Sequence, residues 1–193
     1  MEWAVTVEVV SSLALAVGLA ACAGLRAWLP LLLAGGMARM GFLHLGDAYG
    51  FLASNQALIL FGVATLIEVA GDKIPAVDHA LDAVSTVVRP VAGSILAASV
   101  LGFVHKPLVA LALGIVLGAP TALVPHTAKA SLRALSTTFT AGIANPLLSL
   151  VEDVVTVVLV VLAVVLPIAV AVLLLLVMLW VFHRRQARHR EAT

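Results

Sequence analysis

The sequence predicts an all-α integral membrane protein with about six transmembrane helices and two re-entrant half-helices. Three observations predict it: 63% of the 193 residues are apolar, long apolar runs recur, and only 11% of the residues are charged. Soluble domains are about 45–50% apolar, so that class is excluded. The net charge of +1 leaves no basic surface for nucleic acid. We expect one membrane domain over residues 1–193.

Six apolar runs are predicted to cross the membrane, because about 20 apolar residues span a core of ~30 Å. The last two form one run that is too long for the core, and Pro167 is predicted to break it. The six runs are 4–23, 51–71, 90–104, 106–124, 145–166 and 167–182.

Two segments, 24–40 and 125–142, are predicted as re-entrant half-helices. Pro30 and the pair Gly35-Gly36 interrupt the first, and the second is too polar to span. Such irregular backbone is tolerated in a membrane only where protein or a water-filled cavity surrounds it. Between them, residues 76–88 are predicted as an amphipathic helix, because an apolar stripe and a polar stripe each follow helical spacing. This helix is predicted to lie at the membrane interface or in the mouth of the bundle, and in one version it extends the short crossing over 90–104.

The two halves of the chain resemble each other in short stretches. Residues 23–27 (AGLRA) match 130–134 (ASLRA), and 66–69 (LIEV) match 150–153 (LVED). This predicts a repeat over about 4–75 and 107–166, joined by 76–104 and followed by a last crossing and basic tail over 167–193. Because one crossing lies between the two repeats, the second repeat would have the opposite orientation in the membrane, as in many transporters. The positive-inside rule then places both termini in the cytoplasm.

A family resemblance rests on four groups of residues. They are Asp72-Lys73-Ile74-Pro75 with Asp78, then Arg89-Pro90-Val91-Ala92-Gly93, then Leu25-Arg26-Ala27-Trp28-Leu29-Pro30, and finally Lys129 with Arg133. Over most of its length the chain resembles a bacterial multi-pass family known as domain of unknown function 4126. The resemblance implies an integral protein of the bacterial cytoplasmic (inner) membrane. It implies no activity, substrate or cofactor.

Eleven charged residues are candidates for an ion or substrate pathway, because charge in a bilayer is costly and marks a pathway or a paired site. The carboxylates would bind a cation or proton, and the basic side chains would balance charge or hold an anion at a half-helix N-terminus. Alternatively, the same residues form ion pairs that hold the bundle together. The candidates are Arg26, Glu68, Asp72, Lys73, Asp78, Asp82, Arg89, Lys129, Arg133, Glu152 and Asp153.

No metal, cofactor or catalytic activity is expected. Asp78, His79 and Asp82 come nearest to a metal set, but on a helix His79 points ~100° away from the two aspartates. His126 stands alone and is interpreted as a capping or interfacial residue. The sequence contains no nucleophile elbow, Walker loop, dinucleotide fingerprint or HExxH motif.

These features favour a transporter or channel for a small ion or polar solute. An alternative is a transporter or scramblase of a phospho-lipid carrier, in which two Arg-bearing half-helices face opposite leaflets. A third class is a non-transporting scaffold with every charge paired, or an intramembrane enzyme, which ranks lowest because no nucleophile motif is recognisable. The expected partners are membrane lipids and, in one version, a second copy of the chain in a homodimer.

Overall fold

The structure of the protein, a computed structural model, consists of apolar helices. It describes residues 2–72, 75–170, 172–173, 175–177 and 179–180. Side chains are described except at residues 2, 4 and 75–83. The described residues contain no strand, which confirms the all-α class. In chain order the helices are α1 (Glu2–Leu25), α2 (Trp28–Arg39), a 3-10 helix (Asp47–Ala53), α3 (Asn55–Gly71), α4 (Pro75–Ser99), α5 (Pro107–Thr140), α6 (Asn145–Val165) and α7 (Pro167–Val177).

Three described segments are long and apolar enough to cross a membrane. They are Val5–Leu25, Pro107–Thr140 and Asn145–Val165. The 3-10 helix and α3, which meet at 57°, would together make a fourth. The chain is therefore a membrane protein by length and composition of its helices, and the predicted break at Pro167 is confirmed by the end of α6 and the start of α7 there.

The short helix α2 runs antiparallel to α3 along its whole length. At its start, the Trp28 amide lies 3.3 Å from Glu68 near the end of α3. At its end, Arg39 donates to Asn55 at the start of α3. The chain thus leaves α2 at the opposite end of the bundle, and the prediction that segment 24–40 dips in and returns is wrong. Pro30 does not break the helix because it lies in the first turn, where its missing donor has no intrahelical partner.

Helix α4 is continuous across Pro90, so the amphipathic segment extends the predicted crossing, and the alternative of a separate interfacial helix is wrong. It packs very closely on α5 at a pair of glycines. A Cβ atom on Gly118 would lie 2.3 Å from the carbonyl oxygen of Gly93. Small residues allow helix backbones in membranes to approach in this way, and the contact holds the two helices in register.

Helix α5 is a single helix of 34 residues, so the predicted half-helix over 125–142 does not exist as a separate element. Its polar second half is helical because one face of it packs inward, where Lys129 and Arg133 are buried. At 1.5 Å per residue the helix is ~51 Å long. It ends at Ala141, whose φ of +51° is left-handed, and α6 then packs mainly against α1 and α2.

The start of α1 lies at the end of the bundle opposite Lys129 and Arg133. The 24 residues of α1 cover ~36 Å and end beside Arg26, which contacts the same carboxylate as Arg133. The predicted topology placed the N-terminus on the side of Lys129 and Arg133, and the passage made by α2 reverses this. The inverted repeat is not confirmed, because one copy of the matched stretch straddles the break after α1 and the other lies inside α5.

Candidate functional site

Charged side chains from four helices, and from the residues that follow α1 and α3, meet at one buried place. Eight of the eleven predicted residues are found there. Burial of so many charges requires that each finds an opposite partner. We name this group the ion-pair cluster: Arg26, Glu68, Asp72, Arg89, Lys129, Arg133, Glu152 and Asp153.

Three predicted residues are not placed by the structure. Lys73 lies outside the described residues. Asp78 and Asp82 belong to α4, but their side chains are outside the described part of the chain, as is that of His79. Among the described residues, no group of three His, Cys, Asp or Glu side chains is arranged to hold a metal ion.

Asp72, the residue that follows α3, is contacted by three cationic side chains of the described cluster. Its Oδ2 atom accepts a hydrogen bond from Arg26 Nη1 and another, of 2.8 Å, from Arg133 Nη2. Lys129 Nζ donates to the same oxygen at 3.4 Å. A single oxygen therefore joins the end of α1 and the second half of α5.

Glu152 on α6 provides a second shared acceptor. Its Oε2 atom lies 2.9 Å from Lys129 Nζ and 3.0 Å from Arg133 Nη2. Arg26 Nη2 is further away, at 3.9 Å. The same three cations thus surround two carboxylate oxygens, one of Asp72 and one of Glu152. Each cation therefore has two carboxylates within reach and can keep one contact if it loses the other.

Arg26 has no exposed surface. Its Nη2 donates to the carbonyl oxygen of Ser149 at 3.1 Å and to the Ser149 hydroxyl at 2.7 Å. Its Nε lies 2.7 Å from Asp153 Oδ1. The planar guanidinium, which offers five donors in a fixed geometry, connects α1 to α3 and α6 at once.

Glu68 on α3 occupies the N-terminus of α2. Its two carboxylate oxygens accept from the backbone amides of Ala27 at 3.1 Å and Trp28 at 3.3 Å. Helix N-termini favour negative charge because their first amides have no intrahelical partner. The sequence predicted that this helix end would hold an anion, and the anion found there is a side chain of the same protein.

Arg89 on α4 links Glu68 to a histidine. Its Nη2 lies 3.7 Å from Glu68 Oε1, and its Nη1 is 2.5 Å from Nδ1 of His126. The other ring nitrogen of His126 is 3.3 Å from the Thr86 hydroxyl. His126 is buried, so its interpretation as a capping or interfacial residue is wrong.

Two buried polar residues next to the cluster were missed by the sequence reasoning, His126 and Ser149. A signal for His126 was present, because His126, Lys129 and Arg133 are spaced by three and four residues and so share one helix face. Ser149 precedes Glu152 by three residues in the same way. His126 was interpreted as a lone capping or interfacial residue, and Ser149 was not considered, because polar residues at such spacing are common on exposed helix faces.

The ion-pair cluster is balanced in charge as far as the structure describes the chain. It contains four basic side chains and four carboxylates, and each has an opposite charge within 4 Å. Removing one partner of a buried pair is strongly destabilising, because the other charge is left uncompensated. The cluster therefore holds the ends of α1 and α3 against α4, α5 and α6.

A small cavity of about 210 Å³ reaches the cluster at Glu68. Trp28 and Ile67 form part of its wall, and Val84 and Ser85 of α4 form another part. Glu68 is thus the cluster carboxylate that lines a described cavity, although only 4% of its surface is exposed. The cavity gives a bound ion or solute a place next to a buried charge.

Arg26 and Arg133 do not face opposite leaflets. Both donate to Asp72, so they lie at the same level of the bundle. The geometric premise of the lipid-carrier hypothesis, in which one arginine serves each leaflet, is therefore wrong.

One protein family matches the chain, over residues 13–185, and its description is "Domain of unknown function (DUF4126)". The matched range contains all eight residues of the ion-pair cluster. No curated protein and no solved structure matches the chain.

Proposed function

Since the chain belongs to the DUF4126 family, whose description names no activity, we propose a function from the site itself: transport of a small ion or polar solute across the membrane. The observation that carries the proposal is the gathering of eight ionisable side chains, six of them buried and two partly buried, in one cluster of an apolar protein. Ionisable residues at such positions mark ion pathways and proton relays more often than not.

The shared acceptors support the proposal. Asp72 and Glu152 are each contacted by Arg26, Lys129 and Arg133. A cation or proton that enters can replace one contact while others persist, so no charge is left bare in the interior. In this proposal Glu68 meets the solute in the 210 Å³ cavity, and the shared carboxylates receive it next.

Flux through proteoliposomes tests the proposal. We expect uptake of at least one member of a panel of protons, alkali cations, halides and small polar solutes. Glu68→Gln and Glu152→Gln should each lower that flux by about tenfold, the effect of ~1.4 kcal/mol on the barrier. The measurement is uptake followed with ion-selective dyes and radiolabelled solutes.

Glu8→Gln is the matched control, since Glu8 is exposed on α1 and lies outside the cluster. It should leave the flux unchanged. Equal flux in all three variants, with each eluting as a folded species, would remove the cluster from the pathway. Glu152→Asp keeps the negative charge and is a further control. Flux that persists in Glu152→Asp but falls in Glu152→Gln would show that the carboxylate, and not damage to the fold, causes the loss.

A non-transporting scaffold is the second candidate, and the pairing of every charge in the described cluster favours it. In that case the cluster serves only to hold helices together. No solute in the panel would then be transported, while Glu68→Gln would still lower the unfolding temperature.

We also propose the placement of the protein in a bacterial cytoplasmic membrane. The cluster end of the bundle holds four buried basic residues, whereas Arg39 and Lys106 lie at the other end. The positive-inside rule supports a cytoplasmic position for the cluster end. The start of α1 is then on the outer side.

We further propose that the two halves of the chain derive from an ancestral repeat. The matched stretches around Arg26 and Arg133 support it, because both arginines contact Asp72.

A further inference from the structure

A cleft of about 410 Å³ lies between α3 and α4, with α2 behind it. Trp28, Phe61 and Ile95 contribute to its walls, which are apolar except at Ser54 and Gln56 near the start of α3. A cleft of this size and lining is suited to an apolar ligand.

The open side of the cleft faces the surface that the membrane would cover. Leu60 on α3 and Val91 on α4 both line the cleft, and both expose more than half of their surface. An apolar chain in the bilayer can therefore enter sideways, without passing through water.

A positive charge lies beside the polar end of the cleft, on a residue outside its lining. Asn55, between Ser54 and Gln56, accepts a hydrogen bond from the exposed Arg39. Within the part of the chain that the structure describes, Arg39 forms no ion pair with a carboxylate. Its charge is thus suited to an anionic group from outside the protein, and phosphate is the group that a guanidinium binds best.

Exposed aromatic residues show that this end lies at the level of lipid headgroups. Trp3, at the start of α1, is 75% exposed, and Phe42, before the 3-10 helix, and Phe51, within it, are 68% and 55% exposed. Tryptophan is enriched at the membrane interface, so Trp3 carries this assignment. A phosphate at Arg39 would therefore be at its ordinary depth in the bilayer.

We propose that the α3–α4 cleft binds one acyl chain of an anionic phospholipid, with the lipid phosphate at Arg39. The apolar lining holds the chain, and the guanidinium holds the headgroup. The polar end of this site lies away from the ion-pair cluster, whereas its other end shares Trp28 and Val88 with the cavity at Glu68. The inference does not depend on transport through the cluster.

Photolabelling of the full-length protein in detergent tests this inference. The probe is phosphatidylglycerol with a diazirine on one acyl chain, and the labelled peptides are mapped by mass spectrometry. We expect label on the α3 and α4 segments that line the cleft. Val91→Trp, which fills the cleft, should lower this label by about tenfold.

Two controls match these changes. Val87→Trp, on an exposed position of α4 outside the cleft lining, should leave the label unchanged. Arg39→Gln should raise the lipid concentration for half-maximal labelling by about tenfold, the size of one charge-assisted hydrogen bond. Lys106→Gln, an exposed basic residue at the same end, should not.

Three results would overturn the inference. The first is label spread evenly over the apolar surface. The second is an equal loss of label in Val87→Trp and Val91→Trp, and the third is crosslinking between two copies of the chain at α3 and α4. Unchanged binding in Arg39→Gln would overturn the headgroup assignment. Leu60→Trp fills the cleft from α3 and replaces Val91→Trp if that variant does not fold.

Discussion

At the scale of the residue, Arg26 shows most clearly how charge is accommodated inside this protein. It follows an apolar run of about 20 residues, and the sequence predicts it on a half-helix, where it would balance charge or hold an anion. In the structure it is completely buried and contacts Asp72, Asp153 and Ser149. Its role is therefore to neutralise carboxylates from two helices that are distant in sequence.

Replacement of Arg26 by leucine should destabilise the protein by about 3–5 kcal/mol, because Asp72 and Asp153 would lose a shared partner in the interior. The measurement is denaturant unfolding of the purified protein in mixed micelles. Arg39→Leu is the control, since Arg39 is exposed and donates to the amide oxygen of Asn55. That change should cost less than about 1 kcal/mol. A similar cost for both variants would contradict the structural role of Arg26.

At the scale of the element, the same residue type, proline, has different effects in different helices. Pro90 lies inside α4, and Pro120 and Pro125 lie inside α5, yet both helices continue through them. Neighbouring helices and local adjustments can satisfy the backbone groups that a proline frees in a membrane protein. Pro167, in contrast, stands where α6 ends, and the break predicted there is present.

The close approach of α4 and α5 gives a prediction at this scale. Gly118→Ala should destabilise the protein by about 1–3 kcal/mol, because the new methyl group would overlap the Gly93 carbonyl and force the helices apart. Thermal unfolding of the purified protein measures the effect.

Gly62→Ala in α3 is the matched control. No atom lies within 4 Å of the added methyl group, and alanine favours the helix over glycine by up to about 1 kcal/mol. This variant should therefore be as stable as the parent or more so. The packing explanation fails if the two substitutions shift the unfolding temperature by the same amount.

At the scale of the whole molecule, α2 decides which parts of the chain share a side. The sequence predicted that residues 24–40 return to their starting side, so the N-terminus and Lys129 were placed together. Because α2 lies antiparallel to α3 over its full length, it adds a passage and separates them. One short helix thus reverses the orientation of α1 relative to the cluster.

Labelling of single cysteines tests this arrangement in a Cys22→Ala background, which removes the buried native cysteine. Trp3→Cys and His105→Cys should react with a membrane-impermeant maleimide from the outer side of intact cells. Ile143→Cys, at the far end of α5, should react only after the cells are opened. The topology predicted from sequence instead places residue 3 on the side of residue 143, and that labelling pattern would refute the arrangement described above.

The sequence by itself determined the class, most of the apolar helices and the identity of the charged residues that meet, because apolar length and scarce charge are properties of composition and spacing. Only the tertiary structure decided which charges are partners, that Glu68 caps α2, and that α2 crosses the bundle. Asp72 and Arg133 are 61 residues apart. Their contact depends on how four helices pack, which local spacing along one helix does not encode.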